Sequence, residues 1–175
     1  EYVPLGKTFP WLYRLTPLPT GLDAGETPVA VTMGNTRYAA NICYENTVPH
    51  LIASQVRKLK EQGAEPDVLV NLTNDGWFWG STELDLHLAN AVFRTVECRK
   101  PLVIAANTGF SASIDSCGRI LAQGPRRDSD IVVAPLRLDR RTSGYLAWGD
   151  LPAGVCLAAV FGLAIVGIRD WRKRG

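Results

Sequence analysis

From Leu151 to Ile168 the chain carries no charged or strongly polar side chain. A run of that kind has two destinations, the core of a folded domain or the interior of a bilayer. At 1.5 Å per helical residue it spans roughly 27 Å, close to the hydrocarbon thickness of a membrane. Tyr145 and Trp148 stand before it and Trp171 after it, where interfacial aromatics belong. Arg172-Lys173-Arg174 then precede the final Gly175, a basic cluster that favours the cytoplasmic side, although Arg137, Arg140 and Arg141 on the other flank weaken that asymmetry. The alternative is a buried C-terminal helix of a water-soluble domain. We expect a transmembrane helix over residues 149–168, a basic cytoplasmic tail over 169–175 and a separate folded domain over 1–148.

That domain is built of alternating patterns. Residues 1–28 are dense in proline and glycine, which predicts an ordered loop with at most one helical turn around Phe9–Leu15. Val29–Thr32 and Arg37–Ile42, joined at Gly34-Asn35, read as a β-hairpin. Asn46 or Thr47 is positioned to cap a helix that has Pro49 in its first turn and ends at Gly63. Asp67–Thr73 and Leu102–Ala106 are continuous apolar runs of strand length, as in strands covered on both faces. Between them a helix is predicted from Ser81 or Thr82 to about Arg99. Its apolar face is Leu84, Leu88, Ala91, Val92 and Val96, and its polar stripe is His87, Asn90, Arg94 and Glu97. A second hairpin is expected over Ser111–Asp115 and Arg119–Ala122, and a last strand over Ile131–Leu136. Strand–helix–strand–helix–strand followed by hairpins predicts an α/β layered fold.

Charge and cysteine usage exclude several functions. Nineteen basic residues oppose seventeen acidic ones, for a net charge of +2. Phosphate-tracking faces need a clearer basic excess, so no nucleic-acid partner is expected. Cys43, Cys98, Cys117 and Cys156 are widely spaced, without CxxC or paired histidines, so no metal site and no cofactor are expected. A single Cys98–Cys117 bridge stays open.

Cys43 ends the second strand just before a helix start. A thiol so placed gains from the helix N–H groups and dipole, which favour the nucleophilic thiolate. A small buried structural thiol is the competing reading.

Asn41-Ile42-Cys43-Tyr44-Glu45 resembles the cysteine motif of the nitrilase, or carbon–nitrogen hydrolase, superfamily. With Asn74-Asp75-Gly76-Trp77-Phe78, Ala106-Asn107-Thr108-Gly109 and the terminal apolar run, the chain is similar to the apolipoprotein N-acyltransferase branch. Glu1-Tyr2-Val3-Pro4-Leu5-Gly6 resembles a loop that in this branch follows the catalytic lysine. The resemblance implies the C-terminal part of a nitrilase-like α-β-β-α sandwich, followed by one transmembrane helix. It implies a Glu–Lys–Cys triad of which this chain holds only the nucleophile, Cys43. Glu1 would orient the lysine, the Tyr44 backbone N–H would serve the oxyanion, and Glu45 would be accessory. Trp77, Phe78 and Trp79 are aromatics that suit a half-wet, half-apolar edge, so they would border a lipid-binding mouth or, equally, pack in the core. The implied partners are a phospholipid acyl donor, a lipoprotein N-terminus as acceptor, and the bacterial inner membrane, with a monomeric catalytic domain on the periplasmic side. The start at Glu1, which is neither a methionine nor a targeting segment, suits a piece of a longer protein, inactive by itself. A soluble nitrilase-type amidase and a non-catalytic lipid-binding remnant are the competing functions.

Overall fold

The computed structural model describes residues 8–15, 25–78 and 81–174. Within these, a 3-10 turn over Pro10–Leu15 provides the single helical turn expected of the proline-rich entry segment. Six strands then form one sheet in chain order: β1 (Ala30–Met33), β2 (Thr36–Ile42), β3 (Val68–Asn74), β4 (Leu102–Asn107), β5 (Ala112–Ile114) and β6 (Ile120–Gln123). β1 and β2 are the predicted hairpin, with Gly34 in the left-handed conformation its tight turn demands. β2, β3 and β4 run parallel, and β5 and β6 return antiparallel.

Parallel neighbours need crossovers, and two helices supply them: α1 (Pro49–Glu61) between β2 and β3, and α2 (Glu83–Cys98) between β3 and β4. Both lie on one face. Ile52, Val56 and Leu59 of α1 and Ala91 and Cys98 of α2 pack on Ala39, Leu69, Leu102, Ile104, Ala112 and Ile114 of the sheet. Each fully buried aliphatic side chain there contributes about 1.5–3 kcal/mol of hydrophobic stabilisation. The two-residue period puts Val31, Met33, Ile42 and Leu72 on the other face, where they are exposed.

Three expectations are corrected. Ile131–Leu136 is not a strand: Ile131 and Val133 are 86% and 85% exposed, and Pro135 has no N–H for a ladder. The segment is irregular, and the Val132 side chain lies over Gly124. Neither Asn46 nor Thr47 caps α1. Its N-cap is Val48, without a side-chain bond, and Pro49 needs no partner at N1. Asn46 is buried, and the Thr47 hydroxyl donates to the Tyr44 carbonyl at 2.8 Å. Both belong to a separate 3-10 turn, Cys43–Thr47, so Cys43 does not abut the N-terminus of α1. The last helix runs on through the basic residues as far as Arg174.

After β6 the chain returns across the helices. Ser143 caps α3 (Gly144–Trp148) by accepting from the Leu146 N–H, and its hydroxyl donates to the Glu97 carbonyl on α2. Gly149 then turns with positive φ into α4 (Leu151–Arg174). The stretch Leu151–Lys173 is long and apolar enough to cross a membrane, and its most apolar eighteen-residue stretch buries nothing against the other described residues. All four cysteines are free, so Cys98 and Cys117 are not bridged.

Candidate active site

In open α/β sheets, sites form at the carboxyl ends of parallel strands. Here three adjacent parallel strands end together, and each delivers one of the three motifs. β2 ends at Ile42 and gives Cys43-Tyr44-Glu45, β3 ends in Asn74 and gives Asp75–Phe78, and β4 ends in Asn107 and gives Thr108-Gly109. Register pairs Asn74 with Asn107, and the Asn107 amide donates to Asn74 Oδ1 at 3.1 Å. The Gly76 N–H donates to the same oxygen at 3.2 Å, which closes the turn after β3.

Cys43 is half-buried and has φ 50°, a left-handed conformation that costs a residue with a Cβ roughly 1–2 kcal/mol. Such strain persists where surrounding bonds over-determine it. They do so here. The Glu45 carboxylate reaches back to accept the Ile42 N–H at 2.7 Å. The Cys43 carbonyl accepts from Asn71 Nδ2 at 3.1 Å, and the His87 ring nitrogen Nε2 lies 3.1 Å from it. Asn71 also donates to Asn41 Oδ1 at 2.6 Å, its register partner on β2. The Cys43 thiol points along the strand ends, with Sγ 4.0 Å from the Asn74 carbonyl oxygen. Tyr44 and Glu45 follow in the first turn of the 3-10 helix, where N–H groups have no helical acceptor.

Behind this edge stands a buried pair. Asp75 Oδ1 lies 2.9 Å from His87 Nδ1 and accepts from the Thr73 hydroxyl at 2.7 Å. Both His87 ring nitrogens therefore face oxygens, a carboxylate and a carbonyl. A carbonyl only accepts, so Nε2 carries a proton, and a second proton on Nδ1 makes the ring an imidazolium. Burial opposes that charge, but the hydrogen bond and charge of Asp75, with the Cys43 carbonyl, outweigh it and raise the His87 pKa.

The structure thus gathers Cys43, Tyr44, Glu45, Trp77 and Phe78 at one edge. Trp77 is 63% exposed and Phe78 half-buried in the 3-10 turn that follows Asn74. Glu1 and Trp79 lie outside the described residues. The expected polar stripe of α2 divides. His87 turns to the site, Asn90 bonds to the Leu86 carbonyl of its own helix, and Arg94 pairs with Glu97 at 2.8 Å. Sequence reasoning undervalued Asn41, Asn71 and Asp75. Asparagines within runs that are otherwise apolar and buried were the available signal.

Residues 8–144 match the family model of the carbon-nitrogen hydrolases. The chain belongs to the carbon-nitrogen hydrolase family. Among curated proteins it is similar to an apolipoprotein N-acyltransferase of Rhodopirellula baltica, 36% identical over 94% of this chain and 29% of that protein. It is likewise similar to an apolipoprotein N-acyltransferase of Bdellovibrio bacteriovorus, 38% identical over 99% of this chain and 32% of that protein. The chain thus spans about a third of the length of the curated relatives it matches. Among solved structures, a CN-hydrolase superfamily protein from Xanthomonas campestris aligns with a TM-score of 0.56 and 18% identity, over 84% of this chain and 56% of that one. That likeness confirms the nitrilase-type fold of this carbon-nitrogen hydrolase chain.

Proposed function

We propose that the chain is the cysteine-bearing, C-terminal part of an apolipoprotein N-acyltransferase. The observation that carries this reading is that the similarity to proteins of that name extends over 94–99% of the chain. It takes in both the Cys43 edge and the apolar α4. The chain divides into a catalytic part over 1–148, a transmembrane helix over 149–168 and a basic cytoplasmic end over 169–175. The catalytic part sits on the periplasmic side of the bacterial inner membrane.

In the reaction the Cys43 thiolate attacks an ester carbonyl of a phospholipid, the lysophospholipid oxygen leaves with a proton, and an acyl thioester remains on Sγ. The α-amino group of a lipoprotein's diacylglyceryl-cysteine then attacks the thioester, loses its proton to the base and releases the thiolate as an amide forms. The tetrahedral oxyanion of each step needs donors already in place, and one such donor is worth about 3 kcal/mol. The Tyr44 N–H, at the unsatisfied start of the 3-10 turn, is that donor in this reading. Glu45 holds the turn, and Trp77 and Phe78 border the lipid mouth. The base glutamate and the lysine come from outside these residues, and Glu1 orients that lysine. No turnover is expected from the 175 residues alone.

The test uses the full-length protein that carries this chain, incubated with phosphatidylethanolamine in detergent. Intact mass should show a hydroxylamine-sensitive acyl adduct that Cys43→Ala abolishes. An adduct that survives in Cys43→Ala, or none in the wild type, refutes the reading.

A further inference from the structure

The left-handed backbone at Cys43 is held by its carbonyl, and one of the two groups on that carbonyl is titratable. We propose that His87, oriented by Asp75, is a positioning residue for the Cys43 nucleophile. In this role its Nε2–H grips the Cys43 carbonyl and fixes the backbone that presents Sγ at the strand ends. The inference rests on the reading that Cys43 is acylated.

Three observations converge on it. His87 and Asp75 are almost wholly buried, 7% and 2% exposed, where an unpaired polar group is costly. Each ring nitrogen of His87 has one oxygen within 3.1 Å, so the ring cannot turn without losing both contacts. Gly109, at the end of the third motif, is shaped around the same carboxylate: a Cβ there would lie 2.0 Å from Asp75 Oδ2. The clamp is thus assembled from all three strand ends. Asp75 comes from the turn after β3, the Cys43 carbonyl from the turn after β2, and Gly109 from the loop after β4.

The neighbouring amide of Asn71 holds the same carbonyl without titrating, so His87 is the pH-sensitive half of the grip. The ionisable groups facing the ring are Asp75 and Cys43 from the turns packed on it, and Glu83 one turn earlier on α2. With the ring doubly protonated, both nitrogens donate. As pH rises through the raised pKa one proton is lost, and one of the two contacts goes with it. A neutral amide in place of the ring keeps a donor for the Cys43 carbonyl without that dependence.

The experiment follows the rate of thioester formation on Cys43 by quenched intact mass. It uses the full-length enzyme with phosphatidylethanolamine in detergent micelles, for wild type, His87→Gln and His87→Leu, with folding checked by near-ultraviolet circular dichroism. We expect His87→Leu to lower the saturating rate at least tenfold with the half-saturating lipid concentration unchanged, and His87→Gln to recover most of it. The ratio of wild-type to Gln rate should fall as pH rises above the ordinary histidine range. A wild-type rate in His87→Leu overturns the proposal, as does a folded Gln variant as slow as Leu. If the Leu variant does not fold, parallel wild-type and Gln pH profiles overturn it. An absent adduct in the wild type instead refutes the thioester reading itself.

Discussion

Cys43 and Gly109 are both tightly constrained, Cys43 by its left-handed backbone and Gly109 by a neighbouring carboxylate. At Gly109 the constraint is contact rather than torsion. Its virtual Cβ lies 2.0 Å from Asp75 Oδ2 and 2.9 Å from Asp75 Cγ. The carboxylate is short and already held by Thr73 and His87, so it cannot swing aside cheaply. Gly109→Ala should therefore cost about 1–3 kcal/mol, the usual penalty for overpacking. Because the strain passes through one named side chain, a double-mutant cycle isolates it. In an Asp75→Ala background the added cost of Gly109→Ala should fall below about 1 kcal/mol, read from urea midpoints. Equal penalties in both backgrounds would show that the strain lies elsewhere.

Among the α-helices of the described residues, α3 is the shortest, and one serine holds both its cap and its contact with α2. Five residues cannot hold a helix by propensity. Ser143 does two jobs: it accepts the Leu146 N–H, and it donates to the Glu97 carbonyl of α2. Arg57 adds a donor from α1 to the Leu146 carbonyl at 3.5 Å. Ser143→Ala should destabilise the α3 contact by about 1 kcal/mol, within the range for lost caps. Amide hydrogen exchange should show it as faster exchange at Ala147 and Gly149 with the β3–β4 amides unchanged. The same scale explains what could be read in advance. β2, β3, β4, α1 and α2 were legible because their apolar periods are long and their ends carry proline or glycine punctuation. The strand over Ile131–Leu136 was misread because its apolar run is real but finds no ladder partner, and composition cannot report pairing. The caps on α1 were misread because a 3-10 turn absorbs Asn46 and Thr47 before the helix begins. At the site, the three motifs could be named from sequence, while their meeting depends on the parallel register of three strands. The Asp75–His87 pair lies twelve residues apart and across two elements. His87 therefore looked like one member of a polar stripe.

For the whole molecule, two apolar surfaces remain uncovered by the described residues, and they call for different solvents. The open face of the sheet, with Val31, Met33, Ile42 and Leu72, is flat and one side chain deep. A second sheet layer is the natural cover for it, as the α-β-β-α family fold implies. The other surface is α4, apolar all round through Val155, Leu157, Val160, Phe161, Leu163, Ile165, Val166 and Ile168. A helix apolar on every side has no preferred face to lay on a globular neighbour, which favours lipid. Its 24 residues extend about 36 Å, enough to cross the hydrocarbon with both ends in the headgroup zones. A charge at its middle therefore discriminates between environments. In a bilayer, Val160→Arg should cost about 2.5–3.5 kcal/mol of insertion free energy, the scale for a central arginine. Val155→Arg, nearer the end and able to snorkel, should cost clearly less. Carbonate extraction of membranes bearing each variant would read the difference as protein released to the supernatant, more for Val160→Arg than for Val155→Arg. Equal retention of the two variants would place α4 outside the hydrocarbon and count against a lipid substrate for Cys43.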